Sequence, residues 1–475
     1  MSETLPHHLS DGLHAAGQAP ATIPIHILRE ADLDAALEAA GPATAALAAA
    51  HEFKAAAGQV LVVPGEGGIG RVLCGLGSGS SPMALRALPG KLPAGDYRFE
   101  ALAGLDPELA TLAWSLGRYG FDRYRSDRKA DRRPSLAAPE GVEVEAVRRI
   151  AHACALARDM VNTPANDMGP RQIETIAREI AEEHGATITV VAGEALLDEG
   201  YPAIHAVGRA AAPGREPRMI EISWNGAGAD APVLALVGKG VVFDTGGLDI
   251  KPSAGMRTMK KDMGGAAHAL ALARMVMGAR LPVRLTVLLP VVENAISGDA
   301  MRPGDVLASR KGLSIEVGNT DAEGRLILAD ALARAGELAP DLTIDLATLT
   351  GAARVALGPE VIPFFTADDA LAASLSVASG RTFDPLWRLP LWAGYGESLN
   401  SEVADLANDP AAWAQAGAIT AALFLQRFAP QSGSWVHLDV FAWNARGRPG
   451  WPAGAEAQSI RALFRVLQDR YGGAA

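Results

Sequence analysis

"PVLALVGKGVVFDTGGLDIKPSAGMRTMKKDMGGAAHALALA", residues 232–273, passes from a short apolar run through a glycine-punctuated loop rich in Asp and Lys to an Ala- and Leu-rich segment. The run reads as a strand and the last segment as a helix. Strand, loop and helix in that order form the repeating unit of an α/β fold. Outward from it, "ATITVVAG", "RMIEISW", "VRLTVLLPVV", "LTIDLATL" and "SWVHLDVF" are further β-like runs. Amphipathic stretches lie between several of them, such as "RQIETIAREIAEEHG", with Ile173, Ile176 and Ile180 on one face. The alternation predicts an α/β protein whose larger domain carries a mixed, largely parallel sheet flanked by helices.

The chain before this region is Ala-rich and poorer in chemistry. "LDAALEAAGPATAALAAAHEFKAAAG" reads as helix broken near Gly41 and Pro42. Gly65, Gly67 and Gly70 have dinucleotide-fingerprint spacing, but the next run, Val72 to Leu76, is β-rich where that motif needs a helix, so a hairpin turn is the better reading. Two domains are therefore expected: a smaller N-terminal α/β domain over 1–138, and a catalytic domain over 139–475 that opens with a linking helix at about 140–160.

Bulk properties narrow the class of partner. A formal net charge of −11 argues against nucleic acid. Residues 118–133 hold seven Arg and Lys beside Tyr119, Phe121 and Tyr124, but Asp122, Asp127 and Asp131 interrupt them and a solvated surface is the preferred reading. The most apolar stretch is broken by Arg274, Arg280 and Arg284, so no membrane span is expected. The start has no secretion signal, and Cys74 and Cys154 read as buried thiols of a cytoplasmic protein.

The carboxylates carry the chemistry. In open α/β sheets the site lies beyond the carboxyl ends of the strands. There the sequence offers Lys239, Asp244, Lys251 and Asp262, and later "GNTDAEGRLILADAL", residues 318–332, adds Asp321, Glu323 and Arg325. Ordinary roles exist for each: Asp244 as a turn residue, Asp262 as a helix cap, Thr320 with Glu323 as a capping box. Together, however, Asp244, Asp262, Asp321 and Glu323 make an all-oxygen, multiply charged set that needs cations. Four carboxylates suffice to hold two divalent ions about 3.5 Å apart, as two-metal hydrolytic sites require. His268, on an apolar helix, and His437, in a strand, read as hydrogen-bonded core residues rather than ligands.

"NTDAEGRL", with "GKGVVFDTGG", "KPSAGMRTMKKDMGGAA" and "DLATLTGAARVALG", closely resembles the leucyl aminopeptidase family, the two-metal cytosol aminopeptidases. The likeness runs from "VNTPANDMGP" to "AGAITAALFL"; the N-terminal part is similar only loosely, best at "YGFDRYRS". The resemblance implies that Asp244 and Glu323 bridge two zinc or manganese ions, that Lys239 and Asp262 complete the tighter site, and that Asp321 completes the exchangeable one. It makes Lys251 the catalytic lysine that stabilises the oxyanion. Arg325, with backbone at Leu349 and Gly351, would hold a bicarbonate ion acting as general base, and Met259 and Thr348 would line the pocket for the first side chain. The activity implied is release of N-terminal, leucine-like residues from peptides with a free N-terminus, through attack by a hydroxide bridging the metals, in a cytoplasmic homohexamer.

The chain departs from the family after "HLDVFAW", where "NARGRPGWPAGAEAQSIRALFRVL" replaces a Gly-rich stretch that walls the specificity pocket; Gln458 there could narrow or polarise it. Two other readings compete. A two-metal phosphatase or nuclease would need more basic residues aimed at phosphate than Lys251 and Arg325. A DNA-binding protein that keeps the aminopeptidase fold is disfavoured by the acidic balance.

Overall fold

The break foreseen at Gly41 is real: φ is +86° there, and the Ala-rich stretch forms two helices, Leu33–Ala40 and Pro42–Ala50. The computed structural model describes residues 12–18, 22–79, 81–126, 133–410 and 415–473, so the basic run expected to be solvated falls partly, at 127–132, outside the described residues. The chain divides into two compact units, and the division falls between Ala155 and Leu156, inside the helix Val144–Asn162.

The first unit holds a six-stranded sheet of β1 (Leu13–His14), β2 (Ile23–Arg29), β3 (Val60–Gly65), β4 (Gly68–Gly77), β5 (Asp96–Ala101) and β6 (Ser135–Ala137), in the order β1-β6-β5-β2-β4-β3. β3 and β4 are the antiparallel pair, joined through Gly67 at φ +78°, so the glycine motif is a hairpin turn and not a nucleotide loop. Residues 444–454 also belong to this unit. Arg86 Nε donates to the Gly450 carbonyl at 3.0 Å, and its guanidinium lies 4.3 Å over the Trp451 ring. Gly450 has φ +80°, and a Cβ there would stand 2.4 Å from Arg86 backbone carbon.

The second unit is built on nine strands: β7 (Thr187–Ala192), β8 (Arg218–Asn225), β9 (Val233–Gly238), β10 (Gly240–Asp244), β11 (Arg284–Asn294), β14 (Leu342–Ala347), β15 (Ile362–Phe365), β16 (Leu386–Arg388) and β18 (Ser434–Asp439). A small sheet of β12 (Val306–Ala308), β13 (Ser314–Glu316) and β17 (Leu406–Ala407) stands apart. The large sheet runs β16-β15-β18-β14-β9-β11-β8-β7, with β10 paired to β11. Its centre, β18-β14-β9-β11, is parallel, whereas β8 and β7 add antiparallel strands at one end. Central strands such as "VLALVG" are buried almost throughout, as parallel strands with covered faces must be. Ala235, Val237 and Ala347 share a core with Leu326 to Leu332 of the helix Glu323–Gly336. The helix Gly264–Gly278 lies against β9 and β14 at close range, because a Cβ at Gly265 would sit 2.1 Å from the Leu346 carbonyl oxygen. No helix among the described residues is long and apolar enough to cross a membrane.

Two polar clusters inside this unit are structural. Asp345, in mid-strand, bonds His437 on the neighbouring strand and accepts from Trp435 Nε1 at 2.7 Å. Asp384 reaches from another segment to the start of the helix Ile460–Tyr471, accepting from Ser459 N, Arg461 N and Ala462 N at 2.9, 3.0 and 3.3 Å. A buried carboxylate that satisfies three amide donors cannot be cut away cheaply. Asp384→Ala is expected to lower unfolding stability by about 2–3 kcal/mol, read by urea denaturation; a change below about 0.5 kcal/mol would refute the capping role.

Candidate metal centre

Parallel strands deliver their carboxyl ends to one edge, and the predicted residues emerge there. Lys239 follows β9, Asp244 ends β10 and Thr348 follows β14; Asn294, which was not foreseen, ends β11. Asp262 arrives in the 3-10 turn Met259–Met263, and Glu323 opens the helix Glu323–Gly336.

These side chains meet. One oxygen each of Asp244, Asp262 and Glu323 lies within 4.8 Å of the others, and all three residues are buried. Lys239 Nζ stands 2.7 Å from Asp262 Oδ2 and 3.1 Å from Glu323 Oε1, and donates to the Thr348 carbonyl at 3.0 Å. Lys251 Nζ lies 2.7 Å from Asp244 Oδ2 and pairs with Asp321 Oδ1. Gly324 makes room for Lys239, since a Cβ there would fall 2.7 Å from Nζ.

The surrounding bonds orient the carboxylates. Asp244 Oδ1 accepts from Gly246 N at 2.9 Å, the turn role foreseen for it, and from Asn294 Nδ2 at 2.8 Å. Thr348 Oγ1 donates to Asp262 Oδ1 at 2.8 Å. Asp262 caps no helix: the helix Gly264–Gly278 has Met263 at its cap, and the carboxylate turns to Lys239 and Thr348 instead.

The capping box expected at Thr320 and Glu323 is absent too. Ala322 takes the cap position without a side-chain bond. Thr320 Oγ1 donates to the Gly246 carbonyl at 2.6 Å and accepts from Asp249 N at 2.8 Å, so the hydroxyl ties two loops rather than a helix end. Glu323 is thereby left free to face the cluster.

The electrostatics call for added positive charge. Four carboxylates share the ion-paired ammonium groups of Lys239 and Lys251, and Lys261 acts on Asp262 from further off. Burial, and then Asp244, pushes Glu323 up to about 8 and Asp321 up to about 6; burial likewise raises Asp262. Burial alone would lower Lys239, yet Asp262, Glu323 and Asp244 together hold it above its ordinary value. Asp262 Oδ2 and Asp321 Oδ1 are buried oxygens that accept no well-formed hydrogen bond. Hard oxygen donors, an excess of negative charge and unspent lone pairs are the donor set of a divalent-metal site, so these residues fit such ions.

Around the cluster, Arg325 Nη1 donates to the Asn408 carbonyl at 2.5 Å, while its buried Nε has no partner. Asn408 in turn holds the 318–322 loop, accepting from Gly318 N and donating to the Asn319 carbonyl, both at 2.8 Å. Leu349 N is engaged by Asp439 Oδ1 at 3.1 Å, and Gly351 opens the exposed end of the helix Gly351–Leu357. Met259 sits at the start of the turn that carries Asp262. His268 and His437 stay out of the cluster: His268 Nδ1 bonds the Gly264 carbonyl at 2.6 Å, and His437 bonds Asp345.

Gln458 does not polarise a pocket. Its Oε1 accepts from Ala442 N and its Nε2 donates to the Pro359 carbonyl, both at 2.8 Å, so the amide is consumed in bracing backbone. Asn294, Asn408 and Asp439 were not foreseen. The signal for Asn294 and Asp439 was present, since each ends an apolar strand run at the carboxyl edge.

The chain matches two family models: the catalytic domain of the cytosol aminopeptidase family over residues 155–464, and the M17 aminopeptidase N-terminal domain over residues 23–137. A probable cytosol aminopeptidase of Syntrophotalea carbinolica is 44% identical over 74% of this chain and 73% of its own. That of Caulobacter vibrioides is 37% identical over 92% and 93%. The crystal structure of cytosol aminopeptidase from Coxiella burnetii superposes with a TM-score of 0.90 at 43% identity, covering 97% of this chain and all of that one. The bottromycin maturation enzyme BotP in complex with Mn gives 0.84 at 34% identity, covering 95% and 99%. Nothing in these matches supports the DNA-binding alternative.

Proposed function

The chain belongs to the cytosol aminopeptidase family and is a metal-dependent aminopeptidase of the leucyl type, and from that premise we propose that Lys239, Asp244, Asp262, Asp321 and Glu323 hold two divalent ions, zinc or manganese. Asp244 and Glu323 would be shared between the ions, with Lys239 and Asp262 serving one and Asp321 the other. This reading rests on the convergence of Asp244, Asp262 and Glu323 within 4.8 Å beside Lys239, at the carboxyl edge of the sheet. The Mn complex of BotP lends support to manganese.

Bound there, the ions would supply Lewis acidity toward a carbonyl oxygen and a water molecule. The chain's own groups do the rest. Lys239 can act as a ligand only as the neutral amine, so ion binding at its position releases a proton. Lys251, held between Asp244 and Asp321, presents an ammonium to the oxyanion that develops at the scissile carbonyl. Arg325, anchored through Nη1 to Asn408, keeps Nε open to hold a bicarbonate ion as general base, beside Leu349 and Gly351. Met259 and Thr348 flank the pocket for the first side chain of a peptide with a free N-terminus. A cytoplasmic homohexamer is the assembly we infer from the family resemblance.

The test is chelation followed by reconstitution. Stripped protein should lose hydrolysis of aminoacyl p-nitroanilides, regain it with Mn or Zn at about two ions per chain by emission spectrometry, and leave N-acetylated substrates intact. Activity that survives full removal of metal, or cleavage of the acetylated substrate, would refute the reading.

A further inference from the structure

Two cations meet one aromatic ring beside the metal centre, and each keeps donor capacity that no hydrogen bond uses. Lys261 lies in the same turn as Met259 and Asp262 and is only 7% exposed. Among the described residues no oxygen lies within ion-pair distance of its ammonium, although Asp262 and Asp439 are near enough to act on its charge; the Phe441 ring centroid is 5.2 Å away. From the helix Gly351–Leu357, Arg354 brings its guanidinium to 5.3 Å from the same ring. Arg354 Nη2 bonds Asp439, but Nη1 is buried without a hydrogen-bond partner.

The nearby carboxylates have other partners too. Asp439 accepts from Leu349 N, Thr350 N and Thr350 Oγ1 as well as from Arg354. Asp262 is committed to Lys239 and Thr348. A cation–π contact orients a cation on a ring without neutralising it, so the Lys261 ammonium and the Arg354 Nη1 keep the capacity to meet a further acceptor.

Their location decides what would complete them. A Cβ at Gly264 would lie 2.8 Å from both Ala442 Cβ and Thr348 Cγ2, so the segment carrying Phe441 abuts the turn and Thr348. Lys261, in the same turn as Met259, and Phe441, next to Ala442, thus belong to segments that adjoin Thr348, where the first side chain of a substrate is expected.

We propose that Lys261 and Arg354 form a carboxylate-binding subsite for the substrate's N-terminal side chain, so that the enzyme prefers peptides beginning with Glu or Asp. The proposal rests on the aminopeptidase reading. The Lys261 ammonium receives the carboxylate, the Arg354 guanidinium adds its charge from the other segment that meets Phe441, and the ring packs against the methylene groups. A site whose buried donors need a partner discriminates strongly against an analogue that lacks it, so glutamine and leucine are poor fits.

The test compares Glu, Asp, Gln and Leu p-nitroanilides on metal-loaded, full-length protein, and measures binding of the free amino acids by calorimetry. Wild type should favour Glu over Gln and Leu by roughly tenfold or more in kcat/KM, and should bind L-glutamate more tightly than L-glutamine or L-leucine. Lys261→Met should abolish the preference in both readouts, and Lys261→Arg should keep it. If Leu is hydrolysed as fast as Glu and binds as well, the subsite is refuted while the aminopeptidase reading stands. If every substrate is inert yet L-glutamate binds selectively through Lys261, the subsite stands and the catalytic reading falls.

Discussion

Glu323→Gln eliminates hydrolysis, with a loss on the order of 10³-fold or more in kcat/KM, and reduces bound metal from two ions toward one. The substitution keeps the volume of a side chain that is 1% exposed, so packing is spared. What goes is a charge and a ligand lone pair at the point where Lys239 and Asn294 converge. Metal-free protein should show the opposite balance. Burial and Asp244 make the Glu323 carboxylate costly there, so the metal-free variant should melt no lower than metal-free wild type. Adding metal should then raise the melting temperature of wild type more than that of the variant. Retention of two ions with near-normal turnover would remove Glu323 from the ligand set.

Lys251→Met should act differently. Expected is a fall of about 10²–10³-fold in kcat, with metal content held at two ions and KM changed little. Lys251 touches two of the proposed ligands, Asp244 and Asp321, so loss of the ammonium removes repulsion toward a metal rather than a ligand. Its contribution falls on the transition state, where negative charge develops on the carbonyl oxygen. An unchanged kcat in a fully loaded variant would assign Lys251 a purely structural role.

Much of this was legible because the fold advertises itself through period and length. The apolar run at 233–238 and the Ala-rich segment at 264–278 became β9 and the helix behind it, and the acids between them had little choice but the carboxyl edge. Local chemistry was the weaker guide. Thr320 and Glu323 have the spacing of a capping box, yet the hydroxyl finds Gly246 and Asp249, more than seventy positions away in the chain, and that tertiary partner outcompetes the local one. Gln458 failed in the same way, since its amide bonds Ala442 and Pro359, which no local pattern connects to it. The meeting of Lys261 and Arg354 at Phe441 was invisible for the same reason, because it joins three segments that meet only once the sheet has formed.

The return of residues 444–454 to the first unit bears on the order in which the molecule can be made. β1 to β6 leave the ribosome early, as the N-terminal part of a chain does. Gly450 and Trp451, which supply the carbonyl and the ring that receive Arg86, are translated only after nearly all of the second unit. The unit that begins first is therefore finished late, and Arg86 must wait through most of synthesis for those two contacts. A gene fragment that stops after β6 encodes the sheet without its closing piece.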